Sequence, residues 1–498
     1  MRKTKLLFAT FILLAVAGCA SGVKFPSAPL SNTDTPQGKQ AAYDTNGDGK
    51  ADYFTYADNS GRITVIAYDY ANKGAPDSFV NLDEQPNSRC RHLFIILDGV
   101  AFDVVKEFYD AGHLRMFYPP SRLVAPFPAM TDLAVEDALG DIPCPALEAS
   151  YYDRVTGAAA GGQWNYLLQK NAPASRLITY RQWVPLDALA YFSPWLIFKH
   201  EIHGAKSALD RHDTQDVIFY SAGCAGMGTG NGKEGHVRCL ELTERMINQV
   251  TLETRGMVKF TIIADHGHTY TKPARLDLPG LLRKKGWHPG NHLDAPKDFV
   301  MPEFGDVTYA AFYTHDAAAL AADLAAIEGV ELAVYQADGK ISLVSRRGNA
   351  LISERNGRYK YEPQGGDVLQ LNDIVAKLRA EGKVDDSGFI DDRALLEATA
   401  AHLYPDPLRR LWRAFNGMVE NVPDVIVSIE DNYYAGSANY AFLVKLNSTH
   451  GGLNYKNSLA FAMSTAGPLP PVMRSEDIPK NLGAVLGRPF PPCKSGKP

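Results

Sequence analysis

Apolar residues in this chain fall into short blocks whose spacing changes along its length. Nearly unbroken apolar runs at 92–97, 217–220, 258–264, 425–427 and 459–463 are too short for helices. They predict strands buried on both faces. Helical spacing appears between them, at 240–252 and 317–327. This alternation predicts an α/β fold with a mostly parallel central sheet flanked by helices. From 289 to 420 the texture differs. The pairs Asp338-Gly339 and Asn356-Gly357 separate short strands at 341–344 and 359–361, the pattern of an inserted α+β cap. The α/β domain is therefore expected in two parts, 89–288 and 421–498.

The N-terminus follows other rules. Arg2, Lys3 and Lys5 precede an apolar run over 6–17 that is too short to span a bilayer, and the run ends in Val16-Ala17-Gly18-Cys19. This order resembles a bacterial lipobox. It implies a lipoprotein signal peptide over 1–18 and a lipid on Cys19 that tethers the chain to a membrane. Ala20, in place of Asp, favours the outer membrane, facing periplasm or exterior. Residues 19–39 are rich in Ser, Pro, Gly and Thr and read as a flexible tether.

Residues 40–88 form a small β segment that opens like an EF-hand-type calcium loop. Asp44, Asn46 and Asp48 would offer side-chain oxygens, Lys50 a carbonyl and Asp52 a direct or water-bridged contact, with Gly49 at the turn. Thr55 stands where an EF-hand has its Glu, so the loop is incomplete. A structural Ca²⁺ is expected; a plain Asn/Asp/Gly turn is the alternative.

At 498 residues the chain can bury a large core or divide into two or three domains. Its net charge of −5, without long blocks of one sign, argues against binding duplex nucleic acid. Removing Cys19 from the six cysteines leaves an odd number. Cys224 with Cys239 and Cys90 with Cys493 are conceivable pairs, and the connectivity stays open.

Four segments place chemically capable residues at strand ends, where open α/β sheets bind ligands. HLFIILDG ends at Asp98. APFPAMTDLAVEDALG holds Thr131 at a loop–helix junction, where a metal ion and the helix N-terminus would favour its alkoxide. VKFTIIADHGH ends in Asp265 and His266, a mixed O/N pair of the kind zinc takes. LNSTHGG presents His450 before a strand. Taken singly, Asp98 reads as a turn residue, Thr131 as an N-cap and His268 as a loop histidine.

Together, Phe127-Pro128-x-x-Thr131, Gly140, Asp265-His266-Gly267 and His450-Gly451 resemble the alkaline phosphatase superfamily, in its type I phosphodiesterase/nucleotide pyrophosphatase branch. The resemblance runs from about residue 92 to 467. It implies an alkaline phosphatase-like fold, a phosphate-ester small molecule as substrate and Thr131 as catalytic nucleophile. It also implies Zn²⁺ or another divalent transition metal, one or two ions, with Asp98, Thr131, Asp265, His266 and His450 as metal residues. No Cys/Ser-x-Pro-x-Arg segment suggests a sulfatase, and no Gly-x-Ser-x-Gly elbow suggests a serine hydrolase.

The chain departs from this pattern at two places. In DVIFYSAGCAGMGTGNG, Ala225 and Thr229 stand where the superfamily carries an Asp and a His of its second metal site, and His236 comes too late to replace them. Beside Thr131, the phosphate-contacting Asn is missing, while Asp132, Glu136 and Asp137 would repel a phosphate unless paired or turned away. Three readings follow: a hydrolase with a depleted second metal site, a catalytically reduced relative binding a ligand or surface partner, and a purely structural surface protein.

Overall fold

The computed structural model describes residues 22–140, 142–162, 171–182, 188–211, 216–303, 305–436 and 445–492. The lipobox and Cys19 lie outside them, as does Cys493 and hence the Cys90–Cys493 pairing.

The apolar runs at 92–97, 217–220, 258–264 and 459–463 become the centre of a six-stranded sheet. Its order is β10 (Asp216–Ser221), β6 (Arg91–Leu97), β11 (Val258–Ile263), β22 (Leu459–Ser464), β7 (Ser121–Val124) and β23 (Val472–Arg474). β6 pairs in parallel with β10 and β11, and β7 in parallel with β23. Only β22 is reversed, antiparallel to both its neighbours. Leu93 to Leu97 are fully buried, as a strand covered on both faces requires. The helices α1 (Phe102–Asp110), α2 (Thr131–Leu139), α3 (Pro194–Arg211) and α4 (Ala222–Thr254) belong to this body. The stretch read as helical from 240 is the second half of α4, whose backbone breaks at Gly232 (φ 62°, ψ −145°). A short hairpin, β8 (Ser150–Asp153) with β9 (Ala158–Gly161), follows α2.

A second sheet of eight strands carries the cap. It runs β13 (His288–Pro289), β14 (Asp298–Val300), β15 (Tyr309–Thr314), β20 (Val425–Ile429), β16 (Val330–Ala337), β17 (Lys340–Ser345), β18 (Gly348–Arg355) and β19 (Arg358–Gln364). The inserted body is thus larger than the expected 289–420. The run at 425–427, assigned from sequence to the central sheet, lies between β15 and β16 instead. Its burial on both faces comes from two apolar clusters, one on each side of the cap sheet, rather than from flanking helices of the α/β layer. The helix α5 (Ala317–Ala325) covers one side, and α6 (Pro407–Arg413) joins the cap to the central body. The short strands β12 (Ala274–Arg275) and β21 (Tyr433–Tyr434) pair where the chain enters and leaves the cap.

The N-terminal segment differs from a tether followed by a hairpin. A five-stranded meander runs from β1 (Ser31–Thr35) and β2 (Gly38–Tyr43) through β3 (Tyr53–Ala57) and β4 (Ile63–Tyr68) to β5 (Ser78–Asn81). Residues 31–35, expected in the tether, pair along β2, because backbone ladders need no apolar side chains. Phe25 is buried against Tyr43 and Tyr53, and its carbonyl accepts from Arg245 of α4. Phe25, Tyr53 and Ile66 share one core with the central sheet.

Cys224 and Cys239 do not form the conceivable disulfide; both are buried thiols. Among the described residues no helix is long and apolar enough to cross a membrane.

Candidate active site

β6 and β11 run side by side in parallel, so their C-terminal ends deliver Asp98 and the Asp265-His266 pair to one edge of the sheet. Thr131 enters from the other side as the first residue of α2. Its Oγ1 lies 3.3 Å from Asp98 Oδ2 and 3.2 Å from His266 Nε2. Asp98, Asp265 and His266 are all buried. Among the described residues they form the one group of three His, Cys, Asp or Glu side chains with ligand atoms within 4.8 Å of each other.

The hydrogen bonds around this group aim its lone pairs inward. Asp265 Oδ1 accepts from Gly99 N–H and His266 N–H, each at 3.0 Å, while Oδ2 is buried without a hydrogen-bond partner. His266 Nδ1 pairs with the Gly267 carbonyl at 2.9 Å, which places its proton on that nitrogen and leaves the Nε2 lone pair facing Asp265 Oδ2 at 3.4 Å. Two lone pairs facing each other in a buried site are costly unless a cation lies between them. Burial, and then repulsion from Asp265, raises the Asp98 pKa above the usual carboxylate range, as expected where two carboxylates lack a counter-charge. Two carboxylates, an imidazole and a hydroxyl fit a zinc-type ion.

His450 is brought alongside this group but not into it. Its ring stacks on His266 with centroids 3.7 Å apart, and Nδ1 pairs with the Ala129 carbonyl at 2.9 Å. Burial and His266 hold its pKa well below normal, so it is a neutral imidazole. Ala225 and Thr229 are buried on α4 and offer no metal-binding carboxylate or imidazole.

His236 occupies the space beside them. The break at Gly232 folds α4 back so that His236 Nε2 lies only 2.1 Å from where a Cβ on Gly228 would be. Only glycine fits there. His236 Nδ1 pairs with Tyr270 OH at 2.7 Å, and its buried Nε2 has no partner. Desolvation pushes its pKa down to about 3. His268, expected in a loop, is buried between His236 and His450, with Nδ1 bonded to Ser448 Oγ.

The carboxylates following Thr131 are accounted for. Asp137 makes two 2.8 Å bonds to Arg413 of the cap, and Glu136 accepts from the backbone N–H groups of Ala174 and Ile142. Asp132 hydrogen-bonds Asn171 and feels the charge of Arg181; burial raises its pKa. Asn171 is thus a buried partner of Asp132 that sequence reasoning did not find.

Tyr220, on β10, was also missed. Its hydroxyl donates to Asp98 Oδ2, and Arg181 lies over its ring at 5.1 Å. A tyrosine within an apolar strand run carries no signal of this role; only the parallel register of β10 with β6 reveals it.

The calcium-type loop joins β2 to β3 at the far end of the chain. Asp44 accepts from Gly47 and Gly49 N–H, Asn46 from Asp48 N–H, Asp48 from Lys50 N–H, and Asp52 from Thr45. Its acids are not gathered into a three-ligand group like that at Asp98.

No protein-family model matches the sequence, and no curated protein matches it. Among solved structures, human ectonucleotide pyrophosphatase/phosphodiesterase 5 is similar with a TM-score of 0.43 and 9% identity, over 82% of this chain and 97% of that one. The murine protein of the same name gives 0.41 at 10% identity, over 81% and 96%. An inactive murine variant in complex with AMP gives 0.42 at 10%, over the same shares.

Proposed function

We propose that this chain is a metal-dependent phosphoric ester hydrolase, phosphodiesterase-like, with Thr131 as its nucleophile and a single metal site. The observation that carries the reading is the convergence of Thr131 Oγ1, Asp98, His266 Nε2 and the unpartnered Asp265 Oδ2 at one sheet edge. Asp98, Thr131, Asp265 and His266 would hold the ion, which when bound favours the Thr131 alkoxide and offsets charge on the phosphoryl group. Thr131 Oγ forms a bond to phosphorus, the ester P–O bond breaks, and the alcohol leaves with a proton. Water then cleaves the phosphothreonine, restoring the hydroxyl. Asn171 and Asp132 fix the entry to α2, and Gly267 holds the His266 tautomer.

Thr131→Ala is the test. Turnover of bis(p-nitrophenyl) phosphate should be abolished while metal binding largely persists; retained turnover would refute Thr131 as nucleophile. A catalytically reduced, partner-binding relative is the second reading, favoured by Ala225 and Thr229 and by the His236 ring packed beside them. The proposal extends to location and to a second ion. A lipid on Cys19 would hold the protein in the cell envelope, in the outer membrane, and the Asp44–Asp52 loop would carry a structural Ca²⁺.

A further inference from the structure

α3 turns an aromatic and basic stripe outward. Phe192, just before the helix, and Trp195, Leu196, Lys199 and His203 recur at helical spacing and are exposed or half-buried, while Ile197, Phe198, Ile202 and Leu209 are buried. The outer stripe of a helix facing only water is polar. Here Phe192 is 56% exposed. From Phe192 to His203 the stripe carries no acid. Glu201, the acid in that stretch, is buried and accepts from Ser221 Oγ and from the N–H groups of Ala222 and Gly223 at the start of α4. Asp210, further along, pairs with Lys206 at 3.3 Å. Arg238 of α4 lies over the Trp195 ring at 4.4 Å and adds an exposed cation. Aromatic rings with lysine and arginine beside them are what the headgroup layer of an anionic bilayer takes up.

The N-terminal arm ends on this same face. Phe25 is buried, its carbonyl accepts from Arg245, and the Lys24 N–H donates to Gln249 Oε1 at 2.7 Å, so α4 fixes the arm. Gly22 then lies against α3, where an added Cβ would run into the His203 ring. Cys19 stands three residues upstream, a reach of about 10 Å at full extension. A lipid on Cys19 therefore holds a bilayer close to His203 and the stripe that leads from it to Phe192.

Resting on the lipid-anchor reading above, we propose that the outward face of α3 is a membrane-contact surface that lies on an anionic lipid bilayer. Phe192 and Trp195 sit at headgroup level, and Lys199 and Arg238 face lipid phosphates. The lipid tethers the chain, and the helix face sets its orientation.

The test uses the full, lipid-bearing protein on vesicles of phosphatidylethanolamine and phosphatidylglycerol, with and without bromine on the acyl chains. Bromine quenches tryptophan fluorescence only at short range. Brominated vesicles should quench the wild type, and Trp195→Phe should remove most of that quenching. Phe192→Asp combined with Lys199→Glu keeps every tryptophan and should also lower the quenching, which covers a poorly folded Trp195→Phe. Vesicle-bound wild type without quenching, or quenching unchanged in both variants, overturns the proposal while the anchor reading stands. If mass spectrometry finds no lipid on Cys19, the anchor reading fails, and flotation of the same protein with the vesicles decides for the face. Flotation lost in the Phe192→Asp, Lys199→Glu variant supports it; flotation that this variant keeps, or none in the wild type, overturns it.

Discussion

Tyr220→Phe removes one oxygen from the site and nothing else. The ring stays buried in β10, with Arg181 over its face, but Asp98 Oδ2 loses its phenolic donor. A hydrogen bond to a charged acceptor contributes about 1.5–3 kcal/mol. Partners that orient metal ligands typically change affinity by about 10–100-fold when removed, which is the same scale. The variant should therefore bind zinc about 10–100-fold more weakly than wild type in competition with a chromophoric chelator. Asp98→Ala should fall below the range of the assay, because a ligand itself is gone. Wild-type affinity in Tyr220→Phe would show that Asp98 is not a metal ligand oriented by this phenol. A loss as complete as that of Asp98→Ala would show that the tyrosine acts by some route other than one hydrogen bond.

Three further outcomes are expected. Arg410 of α6 is 4% exposed and donates to the carbonyls of Pro405, Leu453 and Pro126 and to Ser458 Oγ, clamping the Thr131 loop to the His450 loop. Arg410→Met should cost about 2 kcal/mol or more, since unsatisfied buried carbonyls cost about 1–3 kcal/mol each, and should lower kcat; an unchanged melting temperature by calorimetry would contradict this. Calcium removal should lower the melting temperature through the Asp44–Asp52 loop and leave phosphodiester turnover unaltered, by mass action on the folded form; identical melting curves would count against the site. Cys19→Ser should leave the chain unprocessed or released, and wild-type protein without lipid by mass spectrometry would sink the tether.

The sequence made the central sheet and the Asp98, Thr131, Asp265 and His266 set legible for one physical reason. Each residue directly follows a buried apolar strand or opens a helix, so local pattern places it at the sheet edge. What the pattern left out depends on register and chain reversal. Val425–Ile429 is as apolar as a central strand, yet its partners are β15 and β16, a choice that long-range pairing makes. His236 looked too distant because a regular helix would carry it away; the left-handed backbone at Gly232 returns it. Phe25 and residues 31–35 read as a tether because their composition is polar, although one buried ring and a backbone ladder suffice to dock them. The carboxylates after Thr131 looked hostile to phosphate only because their partners, Arg413 and Ala174, lie far away in sequence.

Metal analysis of the purified protein, after exchange into buffer containing zinc and no calcium, tests the central claim most directly. One tightly held transition-metal ion per chain is expected, lost in Asp265→Ala and His266→Ala and retained in Thr131→Ala and His450→Ala. No ion in the wild type, or two, would contradict a single site built from Asp98, Thr131, Asp265 and His266.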